Sequence, residues 1–518
     1  MDKQYQHSEH EAKIYQLWQD HNCFNPDREL TAGENLSANA GVGANATPTS
    51  TIATHYSQTK KSRSAFTIIM PPPNANDPLH IGHAMFVALE DALVRYHRML
   101  GDDTVWIPGT DHAGIETQFV FEKKLKKLGQ SRFQFDRETL FKMIWDYVQE
   151  NSGVAIDQIK QLGASADWSR FKFTLDPDVV ATVLETFSKL AAAKLLYRDN
   201  KLINYCTRCG TAFSNLEVVH QDGVAPLYYL KYGPLTLATT RPETKFGDVA
   251  VAVHPDDVRY QKYHHQEIEV VGLNGNFKLK VIPDNFVDKE FGTGVVKITP
   301  YHDFNDFEFW RRHRAELPQP KLVIDHSGRL TAVAGKYAGL KVAAARNQVI
   351  ADLQAKDLIV KINQNYQNSV GNCYRCGHAI EPLPLPQFYV KVKPLTERVL
   401  TALDEGHITV VGAGHDKILR HWLNRLEDWN ISRQIVWGIR LPVWYSTTKY
   451  PDILINFIDK SSQKQSGKIG DLLKNFTLEE ISAGLQTLNA PIETEYQISP
   501  TSPGPEFLQE TDTFDTWF

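Results

Sequence analysis

Four of the five cysteines stand in two pairs of one form, with two residues between the cysteines and a glycine directly after the second. The pairs are Cys206/Cys209 and Cys373/Cys376, and Cys23 is left over. The glycine permits a tight turn, and four thiolates form the ligand set of a closed tetrahedral zinc site. In a large chain such pairs indicate metal before disulfide. We therefore expect one structural Zn²⁺, with reduced free thiols or a redox pair as the alternatives.

A second candidate site is the tetrapeptide at 80–83, His-Ile-Gly-His, which opens a predicted helix. A helix N-terminus offers unpaired N–H groups and the positive end of the helix dipole, which suit phosphate. Gly82 lets a nucleotide approach the backbone, and His80 and His83 can donate hydrogen bonds to a phosphate on which charge builds up. Because the motif is short, the alternative is a pair of ordinary histidines on a helix surface.

The elements around this motif predict an α/β domain with a doubly wound parallel sheet. An apolar run at 65–70 stops at three prolines, and a second run at 104–107 ends at Pro108. Strands that alternate with helices in this way are typical of Rossmann-like nucleotide-binding domains. The helices are expected at about 79–99, 114–128, 138–162 and 178–196.

Between about residues 200 and 390 the pattern changes to β-rich runs, such as 235–239, 249–253 and 294–299. These runs indicate a separate β-rich domain that interrupts the α/β domain, and the two cysteine pairs bracket it. After about residue 395 helices return.

Composition bounds the possible partners. With 518 residues, about three domains are expected at about 150 residues each. Lys and Arg number 56 and Asp and Glu 61, a net charge of −5, so the chain is no general polycation. It has no apolar run of about 18 residues and no apolar signal core after Met1. We therefore expect no membrane partner and a cytoplasmic location.

Further motifs follow in an order that resembles the class I aminoacyl-tRNA synthetases, and among them the valyl-tRNA synthetases. The segment at 108–114, PGTDHAG, is similar to the valyl enzymes, whereas isoleucyl enzymes differ there. The resemblance covers nearly the whole chain except about 31–63 and 446–505. The other motifs are PPPN at 71–74, DWSR at 167–170, NISRQ at 430–434 and DTFDTWF at 512–518.

The resemblance implies ATP-dependent activation of valine and its transfer to tRNA(Val), with ATP and Mg²⁺ taken together. On this resemblance His80 and His83 are catalytic, and with Gly82 they bind ATP. The residues placed around valine are Pro72, Asn74, Asp111, Trp437 and Trp517, with Asp111 pairing with the ammonium and the two tryptophans walling the side-chain pocket. The alternative for each tryptophan is ordinary core packing.

The segments 239–244 and 297–306 resemble the editing domain of the same family. Threonine is nearly isosteric with valine, and an apolar pocket rejects the added hydroxyl by only about a hundredfold. A second site that hydrolyses Thr-tRNA supplies the remaining discrimination. The residues expected there are Arg241 and Lys297 for the tRNA 3′ end, Thr244 and Thr299 for hydroxyl or water, and Asp303 and Asp306 as acceptors. The alternative is that the aspartates only cap a turn at a strand end.

The family's second signature, Lys-Met-Ser-Lys-Ser, does not occur in the 518 residues. We therefore expect the chain to correspond to the N-terminal portion of such an enzyme, without the anticodon-binding region, to be a monomer, and to form valyl-adenylate weakly or not at all by itself. Three functions stay open: a valine–tRNA ligase with editing, a fragment that hydrolyses Thr-tRNA without ligase activity, and a nucleotidyltransferase with a small-molecule acceptor. The editing motifs argue against the third.

The predicted boundaries are an N-terminal helix at 1–30, a flexible low-complexity insertion at 31–63, the first half of the catalytic domain at 64–200, the first cysteine pair and neck at 201–220, the editing domain at 221–365, the second cysteine pair and neck at 366–394, the second half of the catalytic domain at 395–445, a connective insertion at 446–505, and the start of a final catalytic segment at 506–518.

Overall fold

The computed structural model describes residues 5–27, 64–76 and 78–518, so the insertion predicted at 31–63 lies outside the described residues. The chain divides into two compact units. The first comprises Met1–Arg132, Glu138–Glu185 and Trp437–Ile439, and the second comprises Phe133–Arg137, Thr186–Val436 and Arg440–Phe518.

The helices are α1 (His7–Asp20), α2 (Ile81–Leu100), α3 (Gly114–Lys127), α4 (Arg137–Asn151), α5 (Gly153–Gln161), α6 (Pro177–Ala192), α7 (Phe304–His313), α8 (Val342–Ala355), α9 (Lys393–Asp404), α10 (His415–Arg425), α11 (Ile469–Leu472) and α12 (Leu478–Gly484).

The strands are β1 (Ala65–Ile69), β2 (Asp103–Ile107), β3 (Gly109–Thr110), β4 (Lys172–Phe173), β5 (Leu196–Cys206), β6 (Thr211–Phe213), β7 (Val218–Tyr232), β8 (Leu235–Thr239), β9 (Ala250–Val253), β10 (Glu267–Val270), β11 (Phe277–Pro283), β12 (Val295–Ile298), β13 (Ile359–Cys373), β14 (Glu381–Val390), β15 (Trp429–Asn430), β16 (Ser432–Arg433), β17 (Val443–Ser446), β18 (Leu454–Ile458), β19 (Lys464–Lys468), β20 (Leu485–Asn489), β21 (Gln497–Ile498), β22 (Phe507–Gln509) and β23 (Thr513–Phe514).

The first unit is built on the parallel pair β1 and β2, with Ile68 opposite Trp106 and α2 as the connection between the strands. The parallel strands and the connecting helix predicted from the sequence are thus confirmed. Helix α2 ends at Gly101, whose φ of 88° is the left-handed conformation that favours glycine at a helix C-terminus. Val87 and Val94 on α2 are buried in the core around Trp106.

The helix predicted over 138–162 is interrupted. The structure has two helices, α4 and α5, which meet at Ser152. Ser152 itself keeps helical angles, with a φ of −63° and a ψ of −27°, and its N–H donates to the Val148 carbonyl at 2.8 Å, so the two helices are separated by this single residue.

The second unit contains the β-rich region. Strands β10, β11, β9 and β12 form one sheet in that order, in which β9 runs parallel to β11 and antiparallel to β12. Strands β13, β7 and β8 form another sheet. All four residues of β9 are buried, as expected of a short, wholly apolar central strand. The β-rich texture predicted for 200–390 is thereby confirmed.

Two long antiparallel ladders flank the cysteine pairs. Strand β5 pairs with β14 from Tyr205 opposite Glu381 to Leu196 opposite Val390. Strand β7 pairs with β13, with Val218 opposite Cys373 at its end. The chain segments that lead into and out of the β-rich region therefore run side by side.

Among the described ranges, no helix combines the length and the apolarity that crossing a bilayer requires.

Candidate functional site

The two cysteine pairs meet in space, although the paired residues lie 164 and 170 positions apart. The Sγ atoms of Cys206 and Cys376 are 3.5 Å apart, and those of Cys209 and Cys373 are 3.9 Å apart. All four Sγ atoms lie within 4.8 Å of one another. Sulfur atoms bound to one tetrahedral zinc ion at about 2.3 Å are separated by about 3.8 Å. The donor set and its spacing therefore fit a closed zinc site.

The strands explain why the cysteines meet. Strand β5 ends at Cys206 and β13 ends at Cys373. Each pair is followed by a glycine in the left-handed region, Gly210 with a φ of 67° and Gly377 with a φ of 66°. Each glycine therefore makes the tight turn that was predicted for it from the sequence.

His80 and His83 form a reciprocal hydrogen-bonded cap at the N-terminus of α2. His80 is the N-cap residue, and its Nδ1 accepts a hydrogen bond from the Gly82 N–H at 3.1 Å. His83 Nδ1 accepts one from the His80 N–H, also at 3.1 Å. Because each Nδ1 is an acceptor, each neutral ring carries its proton on Nε2. The cap therefore leaves two Nε2–H donors beside the helix N-terminus.

Packing explains the glycine within this motif. The two imidazole rings are 3.9 Å apart between centroids. A Cβ on Gly82 would lie 2.9 Å from Cε1 of the His80 ring. Burial, and after it the proximity of the His80 imidazole, lowers the pKa of His83, so this ring is neutral near pH 7. A side chain at position 82 would displace the ring that caps the helix.

The structure brings together the segments expected to surround valine. Asn74 and Asp111 form a parallel β-bridge, in which the Ala75 N–H donates to the Asp111 carbonyl at 2.9 Å and the Asp111 N–H donates to the Pro73 carbonyl at 2.8 Å. Thr174 donates to Asp111 Oδ1 at 3.0 Å. Burial raises the pKa of Asp111. A bound ammonium would offset that cost of burial.

Pro72 lies beside the same segment, because a Cβ on Gly109 would be 4.0 Å from the Pro72 Cβ. Pro72 and Asn74 themselves are exposed at the surface of the first unit. The bridge with Asp111 is formed by the backbone of Pro73 and Ala75, on either side of Asn74, and not by a buried side chain of Pro72 or Asn74.

Trp437 is joined to this segment. Its side chain is wholly buried, and its Nε1–H donates to the carbonyl of His112 at 2.7 Å. Its ring packs against Phe141 and Trp145, with centroids 5.2 and 6.1 Å away. Trp437 is therefore packed in the core, which was the alternative for each tryptophan, and it meets the valine segment at His112, the residue after Asp111.

Trp517 lies in the second unit and is 84% exposed. Its backbone N–H donates to Asp515 Oδ1 at 3.2 Å. Core packing, the alternative that the sequence left open for each tryptophan, does not describe this residue.

Two of the residues predicted for editing, Thr244 and Thr299, contact a third, Lys297. This side chain on β12 is 9% exposed, and its ammonium donates to Thr244 Oγ1 at 2.8 Å and to Thr299 Oγ1 at 2.5 Å. It also lies 3.5 Å from Asp248 Oδ1. A lysine has three N–H donors, so these contacts occupy all of them.

Both threonine hydroxyls donate a hydrogen bond to another group of the protein. Thr244 donates to the Arg241 carbonyl at 3.0 Å, and Thr299 donates to Asp248 Oδ1 at 2.6 Å. A hydroxyl has one proton and two lone pairs, and one lone pair of each accepts from Lys297. Each buried hydroxyl therefore keeps one lone pair that these hydrogen bonds do not use.

The two aspartates differ in their surroundings. Asp303 is the exposed N-cap of α7, and its Oδ1 accepts the N–H groups of Asn305 at 2.8 Å and Asp306 at 3.2 Å. Asp306 is buried, and its Oδ2 accepts the Thr299 N–H at 2.7 Å. Burial, together with the charge of Asp303, raises the pKa of Asp306 to about 8. Asp306 is therefore mostly protonated at pH 7 and can act as a donor.

Arg241 is held by protein groups. Its guanidinium donates to Glu381, the first residue of β14, and to the carbonyl of His302 at 3.1 Å. Glu243 lies 3.5 Å from its Nε and also accepts two hydrogen bonds from Arg346, at 2.7 and 2.8 Å. The arginine is 27% exposed, which leaves part of the guanidinium accessible to a ligand.

Sequence reasoning missed Asp248, which contacts Lys297 and Thr299. Its one signal in the sequence is an acidic residue placed directly before the apolar run at 249–253. A charged residue at the end of a fully buried strand must be paired, and that rule could have identified it.

The family model described as tRNA synthetases class I (I, L, M and V) matches residues 50–518. The valine–tRNA ligase of Treponema denticola is 39% identical over 462 residues, which cover 86% of this chain and 47% of that protein. The valine–tRNA ligase of Geobacter sulfurreducens is 44% identical over 74% of this chain and 43% of that protein. The corresponding ligase of Carboxydothermus hydrogenoformans is 44% identical over 74% of this chain and 44% of that protein.

The chain thus spans about half the length of the curated relatives that it matches. The region matched by the family model includes the histidine motif, the valine-site segments, both cysteine pairs and the editing motifs. Since that region is most of the sequence, this chain belongs to the class I tRNA synthetase family of the isoleucine, leucine, methionine and valine enzymes.

Proposed function

We propose that the chain carries the amino acid activation site and the editing site of a valine–tRNA ligase. Its substrates are valine, ATP with Mg²⁺, and tRNA(Val). The observation that carries the activation half is the placement of Asp111, which is bridged to Asn74 and followed by His112, the residue whose carbonyl accepts the Nε1–H of the buried Trp437. A carboxylate beside an apolar wall suits an α-amino acid with an apolar side chain. The relatives named above, all valine–tRNA ligases, support valine as that amino acid.

In the activation step a carboxylate oxygen of valine attacks the α-phosphorus of ATP. The bond between the α-phosphorus and the bridging oxygen breaks, and pyrophosphate leaves with the electron pair. His80 and His83 donate from Nε2 to phosphate oxygens as negative charge develops, and the N-terminus of α2 adds its dipole. Asp111 holds the ammonium of valine, which fixes the direction of the attacking carboxylate.

In the editing step water attacks the ester carbonyl of Thr-tRNA. The ester C–O bond breaks, threonine leaves, and the terminal ribose of the tRNA regains its hydroxyl. The neutral Asp306 donates a hydrogen bond in the buried part of the site, while the exposed Asp303 accepts from the substrate's ammonium or hydroxyl. Thr244 and Thr299 offer acceptor positions, and the accessible part of Arg241 contacts the tRNA 3′ end.

The four cysteines hold Zn²⁺ in this proposal. Four thiolates leave no open coordination position, so the metal is structural. It joins the ends of β5 and β13, where the chain enters and leaves the β-rich region. The cytoplasmic location and the monomeric state expected from the sequence stay predictions.

Equilibrium binding of a non-hydrolysable valyl-adenylate analogue tests the activation site. We expect the 518-residue chain to bind it more tightly than the threonyl or leucyl analogue, and Asp111→Asn to lose most of the binding, since the ammonium then lacks its counter-charge. Equal binding of all three analogues would contradict the proposed valine site.

A second candidate function is hydrolysis of Thr-tRNA without amino acid activation. It is favoured by the position of the editing residues, all of which lie in the second unit. Valine-dependent pyrophosphate exchange distinguishes the two functions. If the chain deacylates Thr-tRNA(Val) but shows no exchange and no binding of the adenylate analogue, the second function is the correct one.

A further inference from the structure

We infer that Asp248 is a positioning residue of the proposed hydrolytic site, and that its carboxylate fixes the ammonium of Lys297 and the hydroxyl of Thr299. The inference rests on the editing function proposed above and deepens it. Asp248 belongs to neither of the two editing motifs, which span 239–244 and 297–306.

Three donors converge on this carboxylate, two from β12 and the residue that follows it and one from β7. Thr299 Oγ1 donates to Oδ1 at 2.6 Å, and the Lys297 ammonium lies 3.5 Å from the same oxygen. Tyr232, the last residue of β7, donates its hydroxyl to Oδ2 at 2.6 Å. The Asp248 side chain is 0% exposed. Water therefore does not compete for these hydrogen bonds.

The charges around Lys297 leave Asp248 as its counter-ion. A buried ammonium without a nearby negative charge is strongly destabilised. The two threonine hydroxyls that it contacts are neutral. Asp306 is mostly protonated at pH 7, because burial raises its pKa to about 8. The carboxylate of Asp248 supplies the compensating charge at 3.5 Å, and it also acts on the buried ammonium of Lys245.

This arrangement also fixes the direction of the Thr299 hydroxyl. Its proton points at Asp248 and one lone pair faces Lys297, so the remaining lone pair has one direction in which to meet a ligand. Without the carboxylate the hydroxyl can rotate, and Lys297 turns to other acceptors. The substrate then loses this acceptor, while the surrounding residues stay folded and buried.

The test uses the full chain and Thr-tRNA(Val), with the deacylation rate as the first readout. We expect Asp248→Asn to slow deacylation by about ten- to a hundredfold, the loss that follows removal of a hydrogen bond to a charged group. The matched control is Asp257→Asn, another buried aspartate of the same unit, which pairs with Arg259 at 2.6 Å and touches none of the editing residues named here. We expect the control to keep the wild-type rate.

A double-mutant cycle separates positioning from a general loss of stability. If Asp248 acts through Lys297, then Asp248→Asn combined with Lys297→Gln is no slower than the slower single variant. Independent effects would multiply instead. If Asp248→Asn does not fold, Tyr232→Phe removes one donor to the carboxylate and keeps the ring, and we expect a smaller loss of rate.

The pH profile adds a readout that a purely structural residue would not move. The charged groups that act on Asp306 are Asp303, Lys297 and Asp248. Removing the negative charge of Asp248 leaves the positive charge of Lys297 uncompensated, so Asp306 loses its proton at lower pH. We therefore expect the alkaline limb of the deacylation profile to move to lower pH in Asp248→Asn but not in Asp257→Asn.

Several outcomes would overturn the inference. They are a wild-type rate and profile in Asp248→Asn, an equal loss in Asp257→Asn, multiplicative effects in the cycle, or, in the fallback, a wild-type rate in Tyr232→Phe. A wild-type chain that does not deacylate Thr-tRNA(Val) would instead reject the proposed function, and a hydrolytic role for Asp248 with it.

Discussion

Asp306 accepts the backbone N–H of Thr299 at 2.7 Å through a carboxyl group whose pKa burial raises to about 8. The side chain is therefore mostly protonated at neutral pH within the proposed hydrolytic site. Asp303, only three positions earlier, is exposed and caps α7. Two aspartates of one motif thus stand in opposite electrostatic situations.

The first prediction concerns stability against pH. An unfolded aspartate has a pKa of about 3.9, so between about pH 4 and pH 8 the folded state holds the Asp306 proton that the unfolded state releases. This contribution to stability is complete below pH 4 and is lost as the pH rises through about 8. Asp306→Asn is neutral at every pH, so its melting temperature should fall less between pH 5.5 and pH 8.5 than that of the wild type. An identical fall in both proteins would contradict the raised pKa.

The second prediction separates the cap from the chemistry at Asp303. Asp303→Ala should raise the activation free energy for deacylation of Thr-tRNA(Val) by about 1–3 kcal/mol, because the substrate's polar group loses its acceptor. It should also lower the stability by about 1 kcal/mol, since α7 loses its N-cap. Asp303→Asn is the control, since asparagine caps helices as well as aspartate. Calorimetry should show near wild-type stability for Asp303→Asn, and a rate in Asp303→Ala equal to that of the wild type would refute the role.

The third prediction concerns zinc. Metal analysis of the purified chain should find about one zinc ion per chain, and Cys376→Ser should lose it and lower the melting temperature. The control is Cys23→Ser, because Cys23 is no member of the cluster, and this variant should retain the metal. A folded protein without zinc, in which all four cluster thiols titrate freely, would rule the site out.

The fourth prediction concerns the reciprocal cap of α2. Gly82→Ala places a methyl group 2.9 Å from the His80 ring and should weaken ATP binding by displacing that ring. Gly153→Ala is the control, because a Cβ there meets nothing within 4 Å and alanine favours the helix. Equilibrium dialysis with labelled ATP measures both variants. Unchanged binding by Gly82→Ala would show that the ring position does not matter for ATP.

Local patterns in the sequence were sufficient to predict several features of the structure. The helix expected at about 79–99 is α2, Ile81–Leu100, because its start and end are set by neighbouring residues in the chain. The meeting of the cysteines could be predicted from their shared spacing and from their position on either side of one β-rich region. Such features depend on nearest neighbours or on a repeated motif, both of which a single sequence contains.

Other features depend on contacts between distant strands. Asp248 is a lone aspartate in the sequence, and its role arises only where β7 and β12 bring Tyr232 and Lys297 beside it. The contrast between Asp303 and Asp306 is one of burial, which their spacing does not reveal.

The central claim, that the chain carries a discriminating editing site of a valine–tRNA ligase, is tested most directly by deacylation of two substrates at high enzyme concentration. The wild-type chain is incubated separately with Thr-tRNA(Val) and Val-tRNA(Val). We expect Thr-tRNA(Val) to be hydrolysed and Val-tRNA(Val) to be spared, because the methyl group of valine cannot pair with acceptors arranged for a hydroxyl. Equal rates on the two substrates, or hydrolysis of neither, would contradict the account.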